Sequence, residues 1–323
     1  MKSLNITSQL SPEFPLDGRY LIGVSGGRDS VALLHWLINL GYKRLIVCHL
    51  NHQLRDRSSD VDARFVKEVA AKYGLDFEVG AADVRALAKR DKMSIETAAR
   101  EARYTFFAKT AKHRRCRTIL LAHHADDLVE TFLINLFRGT GTAGLAAMRE
   151  VSTRSIADVE LTIVRPLLGI WRKEIDNYVR KRGITFREDA SNRNLNPLRN
   201  RVRHRVIPYL EKIMGRNIRP AIWRAATIAS EEDDWIEHQS PGLDQLCVAH
   251  ATKSLSVDKL RALPVAFQRR AILKWLRAQK ISDISFDVIE RVRSLANHDS
   301  AVAKVNLPQD RHARRRAGRI FVE

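Results

Sequence analysis

The chain has 323 residues, 45% of them hydrophobic, and a formal net charge of +19 from 56 Lys and Arg against 37 Asp and Glu. That length suits about two domains, no apolar run reaches the ~18 residues of a membrane span, and Met1–Thr7 lacks the apolar block of a signal peptide. Cys48, Cys116 and Cys247 are far apart with no C-x-x-C pair, which argues against disulfides, zinc and a cysteine-held iron–sulfur cluster and reads as cytoplasmic.

Tyr20–Val24 is a short apolar run and Val31–Leu40 is apolar with helical spacing. Between them lies Ser25-Gly26-Gly27-Arg28-Asp29-Ser30, a glycine turn joining a strand to a helix. Paired glycines let the backbone approach a ligand closely, and the helix start offers unpaired N–H groups that favour phosphate. An ordinary helix cap explains an isolated glycine turn equally well; five fixed letters in this strand–helix context favour a phosphate site. No lysine follows these glycines as in the standard P-loop; Asp29 stands there instead, one residue after Arg28. A carboxylate beside phosphates makes sense when Mg²⁺ bridges them, which points to release of pyrophosphate from ATP.

Arg44–Leu50 reads as a second strand, followed by polar Asn51–Arg55 at its carboxyl end, the edge where open α/β sheets bind ligands. A helix over 60–73, a short strand over 77–79, a Ser94-capped helix over 94–113 and a strand over 118–122 follow. This alternation implies parallel β-α-β units. The last strand runs into His123-His124-Ala125-Asp126-Asp127-Leu128-Val129-Glu130. Asp127 and Glu130, three apart, share one helix face, although first-turn acids also serve as plain dipole partners. The two histidines lack a partner set with zinc spacing.

Gly139 is expected to end this helix. Residues 149–160 read as a loop or hairpin, 170–182 as a helix and Thr185-Phe186 as a last strand. The window 196–224 holds eight Lys or Arg against the single acid Glu211. Its alternate Arg199, Arg201, Arg203 and Arg205 either spread round a helix or line an extended segment, and suit phosphate contact better than a solvated linker. A domain boundary falls near Gly215 and Pro220, dividing 1–215 from 216–323. Beyond it, Ile222–Trp235, with Trp223 and Trp235 as core residues, Leu263–Leu276 and Phe286–Leu295 read as helices, and 304–322 as a hairpin. Its stretch 311–319 has five arginines and no acid, a second phosphate-contacting surface.

The Ser25–Ser30 loop resembles the SGGxDS signature of the N-type ATP pyrophosphatases. His49–Arg55, Glu96 with Ala99-Arg100 and Arg103-Tyr104, the 122–131 block, Arg138–Gly141, Arg165–Leu168 and Arg199–Arg203 stand in the order found in tRNA(Ile)-lysidine synthases. The resemblance covers roughly 17–210, with a weaker echo to the end. Gln53 stands where that family often has glycine and Ser94 where asparagine is usual, and the length matches its shorter form. The resemblance implies an α/β fold: a parallel-sheet, Rossmann-like PP-loop ATP pyrophosphatase domain over 1–215, and a smaller, mainly helical, basic tRNA-binding domain over 216–323. It implies a ligase that uses ATP and Mg²⁺ to join L-lysine to C2 of the wobble cytidine in the CAU anticodon of tRNA(Ile). An adenylated cytidine is the intermediate; AMP and pyrophosphate are released, and decoding changes from AUG to AUA.

The implied roles are ATP binding by Ser25, Gly26, Gly27, Arg28, Asp29 and Ser30, with Asp29 also at Mg²⁺. Asp127 and Glu130 would bind lysine, Asp29, Arg100, His123 and Asp127 would be catalytic with His124 beside them, and Arg199, Arg201, Arg203 and Arg205 would contact tRNA or nucleotide phosphate. No membrane partner is expected, and a homodimer is left open. A tRNA thiolase of the iron–sulfur type would want paired cysteines, an amidating synthetase an amidotransferase module, and a non-catalytic RNA-binding protein would leave the SGGRDS loop and the carboxylates unexplained.

Overall fold

The structure, a computed structural model, describes residues 12–53, 56–187, 197–247, 254–297 and 302–323. The sequence readings at Met1–Thr7 and Leu54-Arg55 lie outside the described residues. The chain forms two compact units, one of Met1–Asn135 with Ala147–Thr227 and the other of Leu136–Ala146 with Ile228–Glu323.

In the first unit, β1 (Arg19–Gly23), α1 (Arg28–Asn39), β2 (Arg44–Asn51), α2 (Asp56–Lys72), β3 (Asp76–Ala81), α3 (Val84–Arg90), α4 (Ile95–Arg114) and β4 (Thr118–Leu120) alternate as the pattern predicts, with α3 as an addition. Ser94 caps α4 by accepting from the Thr97 N–H. Helix α5 (Ala125–Phe137) ends where Gly139 turns at φ 71°. After α6 (Thr142–Leu145), the mixed-charge stretch is a hairpin, β5 (Val151–Ile156) and β6 (Val159–Val164), and α7 (Arg172–Arg182) follows. Thr185-Phe186 is not a strand: this stretch is irregular, and Arg187 donates its N–H to the Gly26 carbonyl at 2.9 Å. The arginine run coils as α8 (Leu198–Arg201), a π-helical turn (Val202–Val206) and α9 (Ile207–Met214).

The six-stranded sheet has the order β3-β2-β1-β4-β6-β5, parallel except for the edge strand β5. Strand β1 is apolar and buried from Tyr20 to Ile22 because both of its faces are covered. Tyr20 and Ile22 pack with α1 and α7 residues such as Leu33 and Val179, while Leu21 packs with Tyr104 and Phe107 of α4 on the other side. The chain leaves β1 for β2 and β3 in one direction and returns to β4 on β1's other side. The carboxyl ends of β1 and β4 therefore flank a topological switch point, where open α/β sheets bind ligands.

The second unit holds α6 and takes up α10 (Arg219–Gln239) from Ile228 onward, then α11 (Leu243–Leu246), β7 (Ser254–Ser256), α12 (Val257–Arg261), α13 (Val265–Ala278) and α14 (Phe286–Ser294). Strands β8 (Lys304–Leu307), β9 (Arg311–Arg316) and β10 (Arg319–Val322) complete an antiparallel sheet ordered β7-β10-β9-β8. The predicted hairpin is thus three strands of a four-stranded sheet. Pro264 precedes α13, where its fixed φ suits a helix start. Trp275 and Ile272 of α13 pack on Val292 of α14 and Ile320 of β10. Trp223 is half-buried, donating Nε1–H to the Leu168 carbonyl. Trp235 is not core: 64% of it is exposed, because it lies on the outer side of its amphipathic helix.

Candidate active site

Strand β1 delivers the chain to Ser25 with the Val24 N–H still paired to the Cys48 carbonyl of β2. The loop is pinned by its own serines: Ser30 Oγ donates to the Gly27 carbonyl at 2.9 Å and accepts from the Ser25 N–H at 3.2 Å. Gly26 sits at φ 90°, and a Cβ there would meet Val66 at 3.4 Å and Phe65 at 3.5 Å. The positive φ is what favours glycine here, since a Cβ would make only ordinary contact with Val66 and Phe65. Gly27 flanks α1 in extended conformation with no side-chain cap, so the first-turn N–H groups of α1 point at the cleft without intrahelical partners. Buried His49 donates from Nδ1 to the Val24 carbonyl, bracing the loop from β2.

The loop opens onto a cleft of about 1080 Å³ that also reaches His123, Glu130, Arg103, Arg203 and Arg219. That is the upper end of the range for small-molecule sites. Every residue of its lining belongs to the first unit.

At the carboxyl end of β4, His123 borders the cleft with Nδ1 buried and unpaired among the described residues. Burial, with Arg165, Arg199 and Arg103 nearby, pushes its pKa down to about 3 against the attraction of Asp127, so the ring is neutral at pH 7. His124 is 1% exposed, its Nε2 3.7 Å from Asp29 and 3.5 Å from Asp127. Asp127 accepts the His124 N–H at 3.1 Å. Burial opposes its charge, but His124 and Arg199 outweigh burial and hold the carboxyl down at about 2.

Glu130 has no exposed surface. Arg203 grips it with two hydrogen bonds, Nε to Oε1 at 2.6 Å and Nη2 to Oε2 at 2.9 Å. Arg199 adds Nε to Oε2 at 2.8 Å and donates Nη2 to the Asp127 carbonyl at 2.9 Å. Two alternate arginines of the run thus turn inward at helical spacing onto the acid pair, while Arg201 and Arg205 stay exposed. Arg100 is exposed beside the Tyr104 ring, and it is Arg103, one turn on, that borders the cleft. Asp127 does not border the cleft, whereas Asp126 and Glu130 do.

Sequence reasoning gave no site role to Asp126, Arg172, Asp176, Arg187 or Arg219, assigned Arg28 to ATP, and quoted Arg165 only within a motif block. Asp126 accepts the Arg172 N–H at 2.9 Å and Arg219 Nη1 at 2.8 Å, joining α5 to the starts of α7 and α10. Arg28 pairs with Asp176, with its guanidinium 5.3 Å from the Phe186 ring centroid. Arg187 binds Asp62 at 2.9 Å. Buried Arg165 donates to the Arg149 carbonyl and Ser152 Oγ, which gives the Arg165–Leu168 block a structural role at the hairpin. Only a pairing between distant segments would have flagged them, and spacing along the chain carries no such signal. Cys48 also borders the cleft, and burial, with Glu78 and Cys116 adding to it, pushes its thiol up and keeps it protonated.

A glycine loop at a sheet switch point, facing buried acids across a nucleotide-sized cleft, defines a PP-loop ATP-binding enzyme domain. The family model described as "PP-loop domain" matches residues 4–210, and the "TilS substrate binding domain" matches 255–321. The chain belongs to the tRNA(Ile)-lysidine synthase family. It is 37% identical over 299 residues to the tRNA(Ile)-lysidine synthase of Geobacter sulfurreducens, covering 90% of this chain and 62% of that protein. It is 36% identical to that of Chlorobaculum tepidum, covering 87% of this chain and 83% of that one. Among solved structures, the U34-tRNA thiolase NcsA from Methanococcus maripaludis with its [4Fe-4S] cluster superposes with a TM-score of 0.54 at 18% identity, over 69% of this chain and 75% of that one. At that identity the likeness concerns the fold alone.

Proposed function

We propose that this protein ligates L-lysine to C2 of the wobble cytidine of tRNA(Ile) bearing a CAU anticodon, at the expense of ATP. The observation that carries the reading is the meeting, in one cleft, of the Ser25–Ser30 loop with the acids of α5, in a chain most of whose length matches enzymes of that name. Residues 1–215 would be the catalytic part and 216–323 the basic tRNA-holding part.

ATP phosphates would rest on the N–H groups behind Gly26 and Gly27 and on the hydroxyls of Ser25 and Ser30. The Asp29 side chain fits Mg²⁺: its Oδ1 is buried without a hydrogen-bond partner among the described residues, and it stands at the phosphate loop. Mg²⁺ bound there would neutralise phosphate charge. The cytosine 2-oxygen attacks the α-phosphorus and the bond to pyrophosphate breaks. The lysine ε-amine then adds to C2 with loss of one proton, and the C2–O bond breaks with AMP as leaving group.

Glu130, which borders the cleft, would attract and orient the lysine ammonium end, with Asp127, ionised at any working pH, adding its charge from just behind the lining. Arg199 and Arg203 already balance these two carboxylates, so the site would bind a cation only by partly displacing or sharing them. Neutral His123, with an unpaired ring nitrogen at the cleft, suits a hydrogen bond to the cytosine or to the developing leaving group. Arg103 suits charge build-up on phosphate.

The test is incubation with α-labelled ATP, unmodified tRNA(Ile) and, in turn, lysine, ammonia or a sulfur donor. AMP release that needs both tRNA and lysine, with labelled lysine entering the RNA, supports the reading. AMP release driven by ammonia or sulfur overturns it.

A further inference from the structure

The antiparallel sheet of the second unit has two unlike faces, set by its register. Leu255, Val305, Leu307, Ala313 and Ile320 point into the core. Arg311 and Arg315 lie on that same side and spend their guanidinium groups on backbone, Arg311 on the Gln279 carbonyl and Arg315 on those of Leu295 and Asn297. These carbonyls follow α13 and α14, where a cation also meets the negative end of the helix dipole.

The other residues of the arginine stretch point outward. Register aligns Lys304 with Arg314, Arg314 with Phe321 and Arg316 with Arg319. The outer face thus carries Lys304, Arg314, Arg316 and Arg319 around the Phe321 ring on an inner strand of the sheet, with Asn306 and His312 aligned beside them. Among the described residues of these strands its acid is Glu323, 3.5 Å from Arg314. Two of its cross-strand pairs, Lys304 with Arg314 and Arg316 with Arg319, set like charges directly opposite one another, which destabilises a sheet. Lys304, Arg316 and Arg319 are exposed.

We propose that this face is a binding platform for an unpaired stretch of the tRNA, with phosphates along Lys304, Arg314, Arg316 and Arg319 and one base stacked on Phe321. The inference rests on the reading of the protein as a tRNA-modifying enzyme and assigns the surface and the mode of contact. Cationic side chains on one sheet face match a phosphate chain, and the like-charge pairs are relieved when phosphates lie between them. An aromatic ring on a sheet accepts a base only where that base is unpaired.

The test uses the full chain and tRNA(Ile) transcript in a salt-dependent binding titration. Arg316→Gln with Arg319→Gln should weaken binding about tenfold at low salt and flatten the log–log salt slope by about 1.4, the value for two single-strand phosphate contacts. Its melting temperature should hold or rise, since a like-charge pair is removed. Phe321→Leu, which keeps the apolar bulk, should weaken binding roughly fivefold or more with the salt slope unchanged. In the lysine-dependent assay both variants should raise KM for tRNA and leave kcat at saturating tRNA as it was. Affinity and slope unmoved in either variant would overturn the platform even if lysidine is made. Loss of tRNA binding in the variants, from a wild-type protein that makes no lysidine, would instead support the platform and overturn the reaction.

Discussion

Arg203 holds both carboxylate oxygens of Glu130, at 2.6 and 2.9 Å, in a pocket where Glu130 has no exposed surface. A pair buried this deeply contributes little net stability while intact, yet removing one partner strands the other. Glu130→Gln keeps the shape and leaves two buried guanidinium groups, of Arg199 and Arg203, facing Asp127 as their one remaining shared carboxylate. It should cost about 3–5 kcal/mol of unfolding free energy, read as a lower urea midpoint at unchanged slope. The π-helical turn that carries Arg203 should loosen with it, and hydrogen exchange over 202–206 should quicken.

The pairing of α5 with the arginine run is where sequence reading stopped. The acids were legible because they lie three apart at a strand end. The arginines were legible as a charge run, but their partners were not, since Glu130 lies 69 and 73 positions along the chain from Arg199 and Arg203. The parallel sheet and its glycine turn were readable because continuous apolar strands and the Ser25–Ser30 letters are local signals. Arg103 rather than Arg100 at the cleft turns on which side of α4 packs against Leu21 and Ile46, a tertiary fact. The exposure of Trp235 escaped for the same reason, as an indole on an amphipathic helix reads as core until the helix has neighbours.

Acid sensitivity should begin near neutrality. Burial, with Arg103 and His49 nearby, lowers the His52 pKa to about 4, and burial lowers that of His123 to about 3. Below pH 6.5 the unfolded chain takes up protons that these native rings refuse, so stability is full above 6.5 and falls as pH drops toward 4. Each ring contributes a slope of about 1.4 kcal/mol per pH unit over that window. Urea unfolding at pH 7.0 and 5.5 should show the loss, and His123→Asn should flatten it by one ring's share. An identical pH slope in wild type and variant would show that His123 titrates normally.

Asp127 acts at lower pH. Its native carboxyl, held at about 2, lies below its ordinary value, so its contribution is present above about pH 4 and disappears as pH falls through 2. Asp127→Asn should therefore remove acid dependence in that lower window only. In the lysine-dependent reaction it should raise KM for lysine at least tenfold while ATP affinity stays within twofold. Unchanged lysine dependence would remove Asp127 from the lysine site.

Gly26→Ala should damage the loop without touching the core. A side chain at φ 90° costs about 1–3 kcal/mol in strain, at a residue whose carbonyl accepts the Arg187 N–H. ATP affinity measured by equilibrium dialysis should fall tenfold or more, while the melting temperature moves by a few degrees. Gly74 offers the control: it also has positive φ, at 63°, but a Cβ there meets nothing within 4 Å, so Gly74→Ala should leave ATP binding intact.

Asp29 separates a role at the metal from a role in the fold. Its Oδ1 is buried and has no hydrogen-bond partner among the described residues, and an anion facing a triphosphate repels it unless a cation lies between. Asp29→Asn should thus bind ATP in the presence of a chelator as well as the native protein does, or better, because the repulsion is gone. Native protein should bind ATP at least tenfold tighter when Mg²⁺ is supplied, and the variant should lose most of that gain. Pyrophosphate release should fall in parallel, at unchanged melting temperature. An equal Mg²⁺ gain in both proteins would assign the ion to another carboxylate of the cleft, Asp62, Asp126, Glu130 or Asp176, each of which is already paired with an arginine.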